Sequence, residues 1–542
     1  MFTKIIEKLK KKIKINKLNK WARQEDIDRI GFGDYEVDLN GHIIMNNEGN
    51  PVKKSSGVVC GINPYNNHLI LHNSFENILL VGPESSGKSV GVVIPTGLMW
   101  ENSVFFLDIN GEKWIKTSKY RKDKLGQRVL KFEPLCSDGS SVRWNPLAEV
   151  GIKTLDEYQD VSAISENIIA DNYEFKIESF EYVNILILNC VMLHLLYKHH
   201  KERKHVPSLY DIGNFLAIYE NNIDVVFEEM YTYHHISIND FFKGNIFEKI
   251  YGEYIQDFTS FNKVLVDFLD DENPKITNLA SLKNVLKNKM KSAKDTVKKS
   301  DEIDWNIYPY NLCLTHPIIV KYVGLVLKQK YSVRTSIFKN IQSKMALYQD
   351  SIIKNNISFS DFSIKDFMKH DQAVSLYFVI RSLEVYRLSP LVKLLLNLIF
   401  YKFRHFDNCN KQRLLLMLDD FPQLGYLHKI EYHLLMCTHF GIKVCVVIKD
   451  IHQLNKIYTE NNSILNNCRI HIYYTPCIEP SMETAMIISK SVKTMTFDEI
   501  MRMESNKGLI IIAGESPLKV FNLKYYDTKS VWGLFFMDRI NF

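Results

Sequence analysis

No Cys-x-x-Cys pair occurs in this chain of 542 residues. Its nine cysteines, at 60, 136, 190, 313, 409, 437, 445, 468 and 477, are scattered and odd in number. A zinc ribbon and a secreted disulfide framework are thereby excluded, and a reducing cytosol fits. No apolar run reaches the roughly 18 residues of a membrane span. The most apolar stretch, residues 183–197, is interrupted by Asn184, Asn189 and His194 and reads as a buried helix. The N-terminus has charge but no apolar core followed by small residues, which excludes a secretory signal. A net charge spread over the whole chain is lacking as well. The formal charge is +6, but eight lysines and one glutamate in the first twenty residues leave the other 522 at −1. The body is therefore not a general nucleic-acid binder. No internal repeat is visible.

With 46% hydrophobic and 24% charged residues the chain is that of a folded protein. Its length suggests about three structural units at roughly 100–200 residues each, and it can bury most of its apolar surface without staples. In residues 1–21, Phe2, Ile5, Ile6, Leu9 and Ile13 recur at helical spacing with lysines opposite, which predicts a basic amphipathic helix. Such a helix suits an anionic membrane surface or a partner's face, and the residues alone leave the two nearly even. Residues 22–75 read as a lead-in or linker with a small β element. From 76 on, the apolar runs ILLV, SVFFLD and RVLKFE, separated by helical patterns, predict a parallel α/β sheet. Strand signals vanish over 155–310, which predicts an all-α insertion. They return in QAVSLYFVI, RLLLMLD, IKVCVVI, RIHIYY and GLIIIAG. The domains expected are thus 76–154 with 311–542, interrupted by 155–310. The lysine-rich stretch 282–300 has the composition of a phosphate-tracking surface or of a solvated helix face.

The chemistry-bearing motif is Gly82-Pro83-Glu84-Ser85-Ser86-Gly87-Lys88-Ser89, which fits G-x-x-x-x-G-K-[ST]. Two glycines let the backbone wrap a phosphate with its N–H groups inward, and the following helix adds its dipole. Lys88 would reach the β- and γ-phosphates of ATP, and Ser89 would offer its hydroxyl to Mg²⁺. The motif follows an apolar strand and opens a helix, the context that such a loop requires. At the end of RLLLMLDD, Asp419 is expected to hold Mg²⁺ through water and Asp420 to orient or deprotonate the attacking water. His194, His199, His200 and His205 show no metal-ligand spacing, and no Ser-His-Asp or Cys-His constellation is present.

Laid out in order, these blocks resemble the coupling proteins of type IV secretion and conjugation systems, the TraG-type family. The resemblance runs from about residue 21 to 530 and is carried by WARQEDIDRIGF, the NILLVGPESSGKS segment through DINGEKW, RTSIFKNIQSKMALYQD and FSDFSIKDFM. Its most specific block runs from LLLMLDDFPQLGYLHK to NNSILNNC, and FDEIMRM and LIIIAGESPLKVFNLKYY close it. The resemblance implies a RecA-like P-loop NTPase domain interrupted by an all-α domain, assembled as a homo-hexamer. Its function would be to recruit DNA–relaxase complexes or effector proteins and deliver them to the secretion channel by ATP hydrolysis. Arg334 aligns with a family arginine and is a candidate finger toward a neighbour's γ-phosphate.

Three departures stand out. The family's N-terminal transmembrane helices have no counterpart in 1–542, so a cytoplasmic chain is expected at the inner face of the membrane. It would be held there by residues 1–21 or by a separate membrane subunit. The family's second acid is usually Glu, where this chain has Asp420. The family's γ-phosphate-sensing Gln aligns with Lys449, and the Lys of its D-x-K-G-E aligns with Asn110. Lys449 can touch phosphate as a point charge but cannot polarise water as an amide does. These changes allow a slow ATPase or a docking receptor that hydrolyses little. A DNA pump of the FtsK or HerA type is a third reading.

Overall fold

A computed structural model describes residues 21–30, 32, 56–170, 179–220, 222–237, 313–404, 412–474 and 482–542. The basic helix expected over 1–21 and the lysine-rich stretch 282–300 lie outside the described residues. The chain divides into two compact units. One comprises the described parts of 1–134, 138–142 and Ile364–Phe542, and the other the described parts of 135–137 and Arg143–Ser363.

The first unit is built on one sheet of eleven strands. They are β1 (Val58–Ile62), β2 (Leu69–His72), β3 (Ile78–Val81), β4 (Ser103–Ile109), β5 (Arg128–Phe132), β8 (Val374–Ile380), β9 (Leu414–Leu418), β10 (Ile442–Ile448), β11 (Ile470–Tyr474), β12 (Lys507–Ile512) and β13 (Leu518–Phe521). Their order is β2-β1-β13-β12-β11-β3-β10-β9-β4-β8-β5. From β11 to β5 every pair is parallel; from β11 to β2 every pair is antiparallel. The parallel strands β3, β8, β9 and β10 are buried along their whole length, because helices cover both faces of such a sheet. This is why they read as unbroken apolar runs. β13 instead alternates, with Leu518 and Val520 buried and Lys519 and Phe521 exposed. The outer strand β5 carries charge on its flank: Lys131 donates to Glu133 and Ser140, and Arg128 pairs with Asp366 at 2.8 Å. Charges of this kind discourage pairing with another chain.

The segment expected as a linker, 22–75, contributes β1 and β2 to the sheet edge. Its short helix Gln24–Arg29 is pinned by an Arg29–Glu515 ion pair at 2.8 Å. β1 is the small β element expected there, while the turn-rich composition around the four-residue β2 masked it.

The second unit is helical. Its helices are Glu157–Ile169, Phe180–Lys201, Leu209–Ile218, Ile223–Thr232, Pro317–Leu327, Tyr331–Met345 and Ser351–Ile357. Ser179, Ser208 and Asp350 cap three of them by accepting backbone N–H bonds. The unit takes in residues 143–154 and 313–363, which the sequence reading assigned to the nucleotide domain. Helical periodicity marks a buried face without saying which domain buries it. It also contains a two-residue antiparallel pair, β6 (Ile236–Ser237) with β7 (Cys313–Leu314), too short to leave a signal. Among the described residues one helix, Phe180–Lys201, is long and apolar enough to cross a membrane, and most of it is buried inside this unit. Asn184, Asn189 and His194 on that helix are fully buried. His194 Nδ1 lies 2.9 Å from His235 Nε2, and His316 Nε2 lies 3.1 Å from Glu157 Oε1.

Candidate nucleotide site

β3 ends at Val81, and the next eight residues fold back on themselves. Ser85 and Gly87 take the left-handed region, at φ 60° and 97°. Gly87 is the residue type that tolerates this at no steric cost. At Gly82 a Cβ would fall 2.7 Å from Tyr474 Cβ and 2.8 Å from Ser86 Oγ, so the loop closes only around a glycine. Gly82 N–H donates to the carbonyl of Ile448 at 3.2 Å, which fixes the loop to the end of β10. The helix that follows opens with a widened π turn, Ser89–Val93, and continues as α over Ile94–Met99. Widened turns of this kind are concentrated at functional sites.

Lys88 folds over the loop. Its ammonium donates to the carbonyls of Gly82 at 2.5 Å and Pro83 at 2.9 Å. Burial pushes its pKa down, against the pull of the Asp420 and Asp419 carboxylates. Ser86 Oγ is buried without a hydrogen-bond partner. Ser89 Oγ donates to Asp419 Oδ2 at 3.4 Å, bringing the hydroxyl and the carboxylate expected for Mg²⁺ together.

Asp420 follows at once, in the left-handed region at φ 51° and ψ 38°. Asp enters this region more readily than Glu, because its short polar side chain can hydrogen-bond the local backbone. This gives the departure from the family's Glu a local reason. Burial, and then the neighbouring Asp419 charge, raise the Asp420 pKa above the usual carboxylate range. Lys449, after β10, makes an ion pair with Glu84 of the loop. That pairing raises the Lys449 pKa and lowers that of Glu84. Asn110 also sits in the left-handed region, at φ 67°. Its backbone N–H donates to Ile380 and its side chain accepts from the N–H of Ser382. The side chain aligned with a family lysine is thus a turn-former that ties β4 to β8.

Two residues of the site carried no signal in the motif reading. Lys113, in the first turn of the helix Glu112–Asp123, places its ammonium 2.6 Å from Asp419 Oδ2 and 3.8 Å from Asp108 Oδ1. Burial lowers its pKa, but the two carboxylates outweigh burial and hold it above the ordinary lysine value. Asp108 accepts from the backbone N–H groups of Lys113 and Trp114, and burial pushes its pKa up to about 6. Tyr474, at the end of β11, lies under the loop against Gly82, Gly87 and Gly91. A lysine beside Trp114 and Ile115 in a helix's first turn, and a tyrosine ending a predicted strand, were the available signs.

Arg334 lies in the helical unit. Its guanidinium grips Asp224 through Nε at 2.7 Å and Nη2 at 2.9 Å, and Nη1 donates to the carbonyls of Leu327 and Gln329. In the single chain it clamps the helix Ile223–Thr232 to the helix Tyr331–Met345.

A family model described as type IV secretory system conjugative DNA transfer matches residues 20–498. The chain belongs to this family. This TraG-type coupling chain is 28% identical over 491 residues to the conjugal transfer protein TraG of Escherichia coli, covering 88% of this chain and 64% of that protein. It is 21% identical over 497 residues to the protein VirD4 of Rhizobium radiobacter, covering 84% and 58%. It therefore spans less than two thirds of the length of these relatives. Among solved structures, the plasmid coupling protein TrwB in complex with the non-hydrolysable ATP analogue ADPNP superposes with a TM-score of 0.54 at 13% identity. That match covers 89% of this chain and 93% of that one. TrwB in complex with ADP and Mg²⁺ gives a TM-score of 0.51 at 12% identity, over 83% and 85%. The fold of this coupling-family chain is accordingly the RecA-like P-loop NTPase fold with an all-α domain.

Proposed function

We propose that this chain is the coupling ATPase of a type IV secretion or conjugation system. It recruits DNA–relaxase complexes or effector proteins and delivers them to the secretion channel, working as a homo-hexamer at the inner face of the membrane. The observation that carries this reading is the convergence of the Gly82–Ser89 loop, Lys88, Ser89 and the Asp419-Asp420 pair at the ends of β3 and β9. The oxygen set of Ser89 and Asp419 fits a hard ion such as Mg²⁺. These two residues would hold it, and the ion would neutralise phosphate charge. Lys88 would exchange its loop carbonyls for the phosphates. Asp420, whose raised pKa suits a proton acceptor, would orient or deprotonate the water.

A second reading is a docking receptor that turns over ATP slowly. It is favoured by Lys449, which stands where the family has Gln and is occupied by Glu84. The FtsK- or HerA-type pump is weaker, because the match over residues 20–498 is to a secretion family.

The test is nucleotide binding and steady-state ATP hydrolysis, with and without single- and double-stranded DNA, beside Lys88→Ala. Turnover stimulated by DNA and lost in the variant supports the motor. Binding that depends on Lys88 without turnover supports the receptor, and binding indifferent to Lys88 refutes both.

A further inference from the structure

Asp419 Oδ2 is the meeting point of two groups. Ser89 Oγ approaches it from the phosphate loop at 3.4 Å, and Lys113 Nζ from the other side at 2.6 Å. Lys113 is not there to satisfy Asp108. That carboxylate already accepts two backbone N–H bonds, at 3.1 and 2.7 Å, which cap the helix Glu112–Asp123, and the ammonium stays 3.8 Å from it. The side chain passes Asp108 and ends on Asp419, where it is 5% exposed. A buried carboxylate without a counter-charge is costly, and among the described residues Lys113 makes the ion pair with Asp419.

We propose that Lys113 is a positioning residue that serves as a built-in cation for Asp419. It balances the charge of the carboxylate and orients it before nucleotide arrives, and competes with the divalent ion for Oδ2 once nucleotide is bound. This rests on the reading of the loop as an ATP site and adds a regulation to it. Nucleotide without metal is tolerated because Lys113 cancels the Asp419 charge. Metal is then admitted only by displacing an ammonium, whose four-carbon stem permits it to turn away.

The experiment measures binding of a fluorescent ADP analogue to the full chain in EDTA and across a Mg²⁺ titration, for wild type and Lys113→Met. In EDTA the variant should bind about tenfold more weakly, because Asp419 then repels the phosphates uncompensated. In saturating Mg²⁺ the two should agree within about threefold, and the Mg²⁺ concentration for half the tightening should fall about threefold or more. A purely structural lysine would change both conditions alike, so equal effects in EDTA and Mg²⁺, or none, overturn the proposal. If Lys113→Met does not fold, the double variant Asp108→Asn with Lys113→Met leaves the net charge of the pocket unchanged and must show the same split. Wild type that binds no nucleotide in either condition overturns the ATP-site reading itself. Wild type that binds with a metal dependence identical to the variant's overturns only the role of Lys113.

Discussion

Gly91 lies in the widened turn behind the phosphate loop, facing Tyr474 of β11. A Cβ built there would sit inside the van der Waals sphere of Tyr474 Oη and 2.8 Å from the carbonyl of Leu523. The first obstacle is the far end of a rigid ring and the second is backbone, so neither yields by a rotamer change. Replacing Gly by Ala in a helix ordinarily gains about 1 kcal/mol, whereas overpacking of this kind costs about 1–3 kcal/mol. Gly91→Ala should therefore destabilise by up to about 2 kcal/mol despite the better helix former. Tyr474 Oη is buried without a hydrogen-bond partner, so Tyr474→Phe should be neutral or stabilising. In that background the cost of Gly91→Ala should fall by about half, leaving the Leu523 contact. Urea unfolding of the four proteins gives the cycle. A second readout is ADP affinity, which should drop in Gly91→Ala and recover in the double variant as the loop returns to its place. A stabilising Gly91→Ala, or additive single effects, would refute the account of Tyr474 as the floor of the loop.

Asp420→Asn keeps the shape and the left-handed backbone while removing the charge; ATP turnover should fall about 10²–10⁴-fold with nucleotide binding kept. Thermal stability should rise, because burial and Asp419 oppose that carboxylate in the folded chain. Arg334→Met and Asp224→Asn should each lower stability by about 1–3 kcal/mol with equal, small effects on turnover per folded molecule; a loss of about 10³ or more confined to Arg334→Met would identify a finger instead. Burial holds the pKa of His194 below the ordinary histidine value and that of His235 well below it. The unfolded chain takes up these protons first, so the stabilisation is complete above about pH 6.5 and should be lost on acidification, by up to about 1.4 kcal/mol per pH unit and histidine. Stability curves that stay flat from pH 7 to about 5 would contradict this.

The sheet was legible wherever burial on both faces produced an unbroken apolar run, as in β3, β4 and β8 to β10. The phosphate loop was legible because glycine, lysine and serine at fixed spacing answer a backbone requirement. β2 and β13 were not, because four-residue strands are too short to be told from loop by periodicity. Nor was the extent of the helical unit: Pro317–Leu327 and Tyr331–Met345 have the same apolar face whichever domain covers it. Lys113 stayed hidden because its role depends on Asp419, more than three hundred residues away in the chain, and only the β4–β9 pairing brings the two together. Arg334 shows the reverse limit, since a family position does not reveal that Asp224 engages the guanidinium.

The strand that carries the phosphate loop pairs on one side with β10 and on the other with β11. Val81 finds its partners at Ile448 and Tyr473. At synthesis rates of about 5–20 residues per second, β3 waits roughly 20–70 s after leaving the ribosome before either partner exists. For that interval the nucleotide loop has no strand beneath it, and four of the most apolar residues of the chain have both edges open. A nascent chain interrupted anywhere before β10 would be unable to bind nucleotide and would offer those edges to other chains. Production of this protein is therefore expected to respond to holdase capacity and to interrupted translation more than its final stability would suggest.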